Sequence, residues 1–230
     1  MWSGVGYAVL RGPLSTEKVG HVRRILRKGF SAQNDERGAR PFRCNETPNY
    51  QRLDVGDYGT EVFRLVRVYF YFFWNEDPLG LREDWLNLAR LRNVLTGMAP
   101  DFGLHAEGDT AGPFYGLQIN HYPKGGGFLA GHQDNLHAGI AAAMPELTRN
   151  FIVAFVMSRV GEDFTDGGGW LRVGEEKVAW ENHVELGDIV IYDQDLLHGV
   201  DAVDCRETLD LSRFDGRLFG LVAPFSGAVA

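Results

Sequence analysis

The chain has 230 residues, 44% of them hydrophobic and 23% charged, which suits one globular domain with a full hydrophobic core. Its net charge of −8 comes from 31 acidic against 23 basic residues and opposes a nucleic-acid partner, since such binding relies on neutralising phosphates. Cys44 and Cys205 lie far apart in no metal-binding pattern, so the expectation is two free thiols in a reducing compartment.

In chain order, residues 6–10 read as a short strand, and Pro13 and Ser15 introduce a helix with Val19, Val22, Ile25 and Leu26 on one face. Gly29 is a candidate for the residue just past its end. Residues 31–60 are polar and turn-rich and predict a long loop or lid, with Arg37, Arg40, Arg43 and Arg52 available to an anionic group. Arg52 and Asp54 are conceivable substrate contacts there. Residues 61–74 are rich in aromatics and fit either a helix or a strand. They carry Arg64 and Arg67 and are too few to span a bilayer. No basic and then apolar leader follows Met1, and a cytoplasmic location with no membrane partner is expected. Leu81, Trp85, Leu88, Leu91 and Leu95 give residues 79–98 a helical period, and residues 103–112 form a Gly-, Asp- and Thr-containing hinge.

Beyond residue 112 the pattern changes to short strands separated by turns: 115–122, 127–134, 150–158, 169–173, 177–183, 188–193, 197–203 and 217–225. Eight strands suit a jelly roll. The expectation is a mainly β protein in which residues 112–230 form a double-stranded β-helix core. Residues 1–111 would supply a helical support and lid region of the same domain.

Within this frame, His132-Gln133-Asp134 ends the second strand and His198 opens the seventh. Residues i and i+2 of a strand share a face, so His132 and Asp134 would point together, with Phe128 and Ala130 continuing that face inward. Two imidazoles and one carboxylate are the facial triad of non-haem Fe(II) sites, which leaves coordination positions open. Arg217, at the start of the eighth strand, could grip a carboxylate through two parallel hydrogen bonds. Arg213 competes for that role, but it precedes Asp215-Gly216, which reads as a turn. His137 fits a loop beside the metal, where a solvated histidine and a substrate contact are both open. His121 has the opposite strand parity to Asn120 and reads as structural or exposed.

Four blocks in order carry a family resemblance: residues 117–122 with the glycine-rich turn and His132-Gln133-Asp134; Gly168-Gly169-Trp170-Leu171; Leu186-Gly187-Asp188 running to Leu197-His198; and Arg217. Across residues 112–225 the chain resembles the Fe(II)/2-oxoglutarate-dependent dioxygenases, with AlkB-like and prolyl-hydroxylase-like features. The resemblance implies Fe(II) held by His132, Asp134 and His198, with 2-oxoglutarate as cosubstrate and O2 as oxidant. It also implies Arg217 on the distal carboxylate, with Asn120 and Tyr122 hydrogen-bonding the cosubstrate. The chain departs from the AlkB-like pattern in lacking a second arginine six residues beyond Arg217. The expected activity is hydroxylation or other oxidation of a small polar molecule, such as an amino acid or natural-product intermediate, with release of succinate and CO2. A protein residue hydroxylase and a non-catalytic cupin-like metal- or ligand-binding protein are the alternatives.

Overall fold

A computed structural model describes residues 6–38, 42–57, 62–104, 112–134 and 150–226. In chain order it contains β1 (Tyr7–Leu10), α1 (Thr16–Gly29), a 3-10 turn (Ala32–Asn34), β2 (Asp35–Glu36), β3 (Tyr50–Gly56), β4 (Arg64–Phe72) and α2 (Arg82–Leu95). There follow β5 (Pro113–Pro123), β6 (Gly127–His132), β7 (Phe151–Val156), β8 (Gly168–Val173), β9 (Glu176–Val178) and a second 3-10 turn (Trp180–His183). The chain ends with β10 (Ile189–Asp193), β11 (His198–Val203) and β12 (Gly216–Ser226). The strands hydrogen-bond in the order β1-β10-β7-β12-β5-β4-β6-β11-β8-β9, with β3 and β2 added beside β4. Every pairing is antiparallel except β2 with β3. This is the curled jelly roll, flanked among the described residues by α1 and α2.

Strand parity divides the labour. On β5, Tyr115, Leu117 and Ile119 pack beneath the helices with Val19, Val22, Leu26, Trp85 and Leu88, while Gln118, Asn120 and Tyr122 face the interior of the roll. β12 mirrors this, pairing Arg217 with Tyr122, Phe219 with Asn120 and Leu221 with Gln118. On β4, Tyr69 joins the helix side and Val66, Val68, Phe70 and Phe72 the other face. The ambiguous aromatic run is therefore a strand, and its rings are core packing: Phe72 stacks on Trp74 at 4.8 Å. Trp85 meets Phe155 edge-on at 6.0 Å, and losing a buried side chain of this size costs about 3–5 kcal/mol.

Three expectations need correction. Ser15 caps α1 by accepting a hydrogen bond from the Lys18 amide, but Gly29 is the last helical residue. Phe30 leaves the helix in an extended conformation, because its ring is spent beneath the Arg67 guanidinium at 4.6 Å. Residues 31–38 and 42–57 are no structureless loop. They build β2 and β3, Arg52 pairs with Asp54 at 2.6 Å, and Arg43 pairs with Glu46. Arg40 lies outside the described residues. Finally, residues 177–183 are not one strand. Trp180 and Glu181 are consecutive and both turn inward, which an alternating strand forbids and a tight 3-10 turn permits.

On the helix side of the sheet lies a buried polar knot. Arg67 donates to both Asp35 oxygens at 2.8 and 2.9 Å and to the Leu211 carbonyl at 3.0 Å. Its Nη1 donates to His121 Nδ1 at 3.2 Å, so His121 Nε2–H is left to donate to the Asp215 carbonyl at 2.8 Å. His121 is thus held neutral, and burial lowers its pKa from 6.5 to about 4 despite the Asp215 bond. On acidification the unfolded chain takes up this proton before the folded one. The stability tied to neutral His121 should be complete above about pH 6.5 and lost as pH falls towards 4, a change on the order of 3 kcal/mol. Chemical denaturation at stepped pH should show this slope, and His121→Gln should flatten it. A stability difference between variant and parent that does not change with pH would remove His121 as its source.

Candidate metal centre

His132 and His198 are direct neighbours across β6 and β11. The next pairing, Val200 with Leu129, sets two steps along β11 against three along β6, so a β-bulge falls at Ala130 and Gly131. Bulges re-aim side chains, and the expected inward face changes accordingly: Leu129, rather than Phe128 or Ala130, lines the interior beside His132. Gly131 sits where a Cβ would come within 2.9 Å of the Trp170 ring. Asp134 lies just past the end of β6. Gln194, in the turn between β10 and β11, holds it: the Asp134 amide donates to the Gln194 carbonyl at 3.2 Å and Gln194 Nε2 donates to Oδ2 at 3.0 Å.

The ligand atoms of His132, Asp134 and His198 lie within 4.8 Å of one another. His132 Nδ1 is 2.9 Å from the Ala130 carbonyl and His198 Nδ1 is 2.8 Å from that of Leu196. A carbonyl can only accept, so both Nδ1 atoms carry hydrogen and both Nε2 lone pairs point inward. These lone pairs face the Asp134 carboxylate at 3.2 and 3.6 Å. Burial raises the Asp134 pKa, and only imidazoles carrying a second proton on Nε2 would outweigh it, by hydrogen bonds and charge that hold the carboxyl well below the usual range. Three inward electron-pair donors repel one another unless each imidazole takes a second proton or a single cation sits among them. Two nitrogens, one carboxylate and open coordination positions suit a divalent first-row transition ion such as Fe(II), and the carbonyl-anchored imidazoles are the outer-shell support such ions have.

The three side chains open onto a cavity of about 570 Å³, within the range of small-molecule sites. Arg217 lies in its wall, 2% exposed, with the rings of Phe219 and Tyr122 4.8 and 4.9 Å from its guanidinium carbon. Its Nε donates to Glu181, whereas Nη1 is buried with no partner among the described residues. The Asn120 amide oxygen is buried and unpartnered in the same way. Tyr122 lies beside Asn120, and burial pushes its phenol pKa up. An orphaned charged donor is costly, so a ligand carboxylate at Nη1 fits this wall, and a turned Asn120 amide can offer it a further donor. Arg213 does not reach the cavity and pairs with Asp215 at the surface, 2.5 Å away.

His132, Asp134, His198, Asn120, Tyr122 and Arg217 therefore converge on one cavity. Arg52 and Asp54 do not, nor does any described residue of 31–57. His137 lies outside the described residues. Gln194, Glu181, Arg64 and Gln118 were not singled out. Gln118 shares the parity of Asn120 and could have been found from it.

No family model and no curated protein sequence matches the chain. Solved structures do. A prolyl-4-hydroxylase from Pseudomonas putida aligns over 96% of this chain and 94% of its own at 13% identity, with a TM-score of 0.52. The Trichoplax adhaerens prolyl hydroxylase, in complex with a hypoxia inducible factor peptide fragment, aligns over 98% and 86% at 12% identity, with a TM-score of 0.53. EctD from S. alaskensis, with 2-oxoglutarate and 5-hydroxyectoine, aligns over 98% and 73% at 13% identity, with a TM-score of 0.50. At these identities the likeness establishes the fold.

The purified chain should bind one Co(II) or Mn(II) ion per molecule in equilibrium dialysis. Losing an outer-shell partner typically weakens a metal site by roughly 10–100-fold. Gln194→Ala should fall in that range, and His132→Ala, Asp134→Ala and His198→Ala should exceed it. Unchanged metal affinity in Asp134→Ala would exclude this cluster as the site.

Proposed function

We propose that the chain is an Fe(II)- and 2-oxoglutarate-dependent oxygenase that oxidises a small polar molecule. The carrying observation is that one cavity joins an inward-facing His-Asp-His cluster to a buried arginine whose Nη1 has no partner among the described residues. A metal centre at one end and a carboxylate grip at the other suit a 2-oxo acid with a distal carboxylate. The chemistry such a centre supplies is oxidation of a substrate C–H bond by O2, coupled to decarboxylation of 2-oxoglutarate to succinate and CO2.

The residues divide this work. Arg217 and Asn120 hold the distal carboxylate, with Tyr122 beside them. His132 and His198, locked by backbone carbonyls, keep their Nε2 lone pairs directed at one point. Leu129, Val200 and Leu221 make part of the wall apolar, which limits water near the reacting atoms. Arg64, Gln118 and Gln133 add polar groups to the same wall and favour a polar substrate. The EctD complex with 5-hydroxyectoine is consistent with a small-molecule substrate. A protein residue hydroxylase is the second reading, favoured by the two prolyl hydroxylases of the same fold.

With Fe(II), ascorbate, O2 and 2-oxoglutarate, the protein should release succinate, and a panel of amino acids and short peptides should identify which class accelerates it. Losing one partner of a buried charge pair typically costs about 2–5 kcal/mol. Arg217→Ala should therefore raise the KM for 2-oxoglutarate by well over tenfold, while Arg213→Ala stays near the parent. Acceleration by peptides alone would move the substrate class to proteins, and absence of succinate with metal bound would favour a cupin-like binding protein.

A further inference from the structure

We propose that Glu181 is a resident counter-ion of Arg217, a positioning residue that fixes the guanidinium and weakens its grip on a ligand's distal carboxylate. This rests on the reading of Arg217 as the cosubstrate's partner. Glu181 accepts a hydrogen bond from Arg217 Nε, and the two side chains are 9% and 2% exposed. Their contact is built rather than incidental. The 3-10 turn aims Trp180 and Glu181 inward together, and the glycines of β8 clear the space they fill. A Cβ at Gly168 or Gly169 would come within 2.9 Å of the Glu181 carboxylate. Trp180 lies 5.6 Å from the guanidinium carbon and completes the aromatic enclosure begun by Phe219 and Tyr122.

Two consequences follow from the charges. With no ligand bound, the pair is neutral and the buried arginine is tolerated. With a dicarboxylate bound, its distal carboxylate and that of Glu181 share one guanidinium and repel each other in a poorly screened wall. Glu181 thus stabilises the empty protein and opposes the filled one. Succinate keeps the same distal carboxylate as 2-oxoglutarate, so the weakened grip favours product departure. A glutamate with a purely structural role would stabilise the empty protein without affecting ligand affinity.

Glu181→Gln keeps the shape and the acceptor while removing the charge. Calorimetry on anaerobic, Mn(II)-loaded protein should show 2-oxoglutarate and succinate binding roughly tenfold more tightly to the variant, equivalent to about 1.4 kcal/mol. Pyruvate, which has the 2-oxo acid head but no distal carboxylate, should bind both proteins within about twofold of each other, the distal carboxylate being the group at issue. The unliganded variant should melt at lower temperature, and dicarboxylates should raise its Tm by more than they raise the parent's. Should Glu181→Gln fail to fold, Glu181→Asp, whose charge sits one methylene further back, should shift affinity in the same direction by less. Unchanged or weaker dicarboxylate binding would overturn the proposal, as would equal tightening for pyruvate. A parent protein that binds no 2-oxoglutarate would overturn the cosubstrate reading and this proposal with it.

Discussion

Two imidazole lone pairs and a carboxylate meeting within 4.8 Å form an arrangement that resists its own assembly. Each group repels the others until positive charge lies between them, so the scaffold must supply the constraint. It does so through backbone: the carbonyls of Ala130 and Leu196 fix the imidazole tautomers, and Gln194 ties Asp134 to the turn before β11. The bulge at Ala130 and Gly131 is part of the same device, because it aims His132 across the strand pair at His198. A regular ladder would place Leu129 and His132 on opposite faces.

The sheet around this centre works on two faces at once. Towards the helices it presents aliphatic and aromatic side chains that bury α1 and α2, together with the Arg67–Asp35–His121 knot that ties β2, β4, β5 and the chain before β12. Towards the interior it presents Gln118, Asn120 and Tyr122 opposite Leu221, Phe219 and Arg217. Consecutive residues of one strand, His121 and Tyr122, therefore belong to a stabilising network and to a ligand wall. Both are fully desolvated, and each is satisfied differently: His121 by protein partners, the wall beside Tyr122 by what enters the cavity.

Much of this was legible in the sequence because strand parity and apolar alternation are local signals. The strands after residue 112 and the common direction of His132 and Asp134 rest on side chains two residues apart sharing a face. The misreadings arose where something distant overrides that rule. A bulge exchanged Leu129 for its neighbours, and it is visible only in the register with the partner strand β11. The inward turn of Trp180 and Glu181 depends on the space left by Gly168 and Gly169, in a different strand. Residues 31–60 are polar along the chain, yet β3 is held by pairing with β4, and its polar groups are satisfied by ion pairs and hydrogen bonds that composition does not reveal. Gln194 looks like any turn residue until Asp134 is placed beside it.

The alternation along β5 and β12 also defines how this scaffold can be altered. On either strand the residues that shape the cavity and those that pack beneath the helices occupy interleaved positions, so one set can be varied with the other held fixed. A library confined to Gln118, Phe219 and Leu221 would reshape the chamber from two facing strands while leaving the helix-side packing of Leu117, Ile119, Leu218 and Val222 untouched. The cost of such changes would fall on the interior cluster of Phe219 and Leu221 with Ile152 and Trp180, and not on the packing beneath α1 and α2.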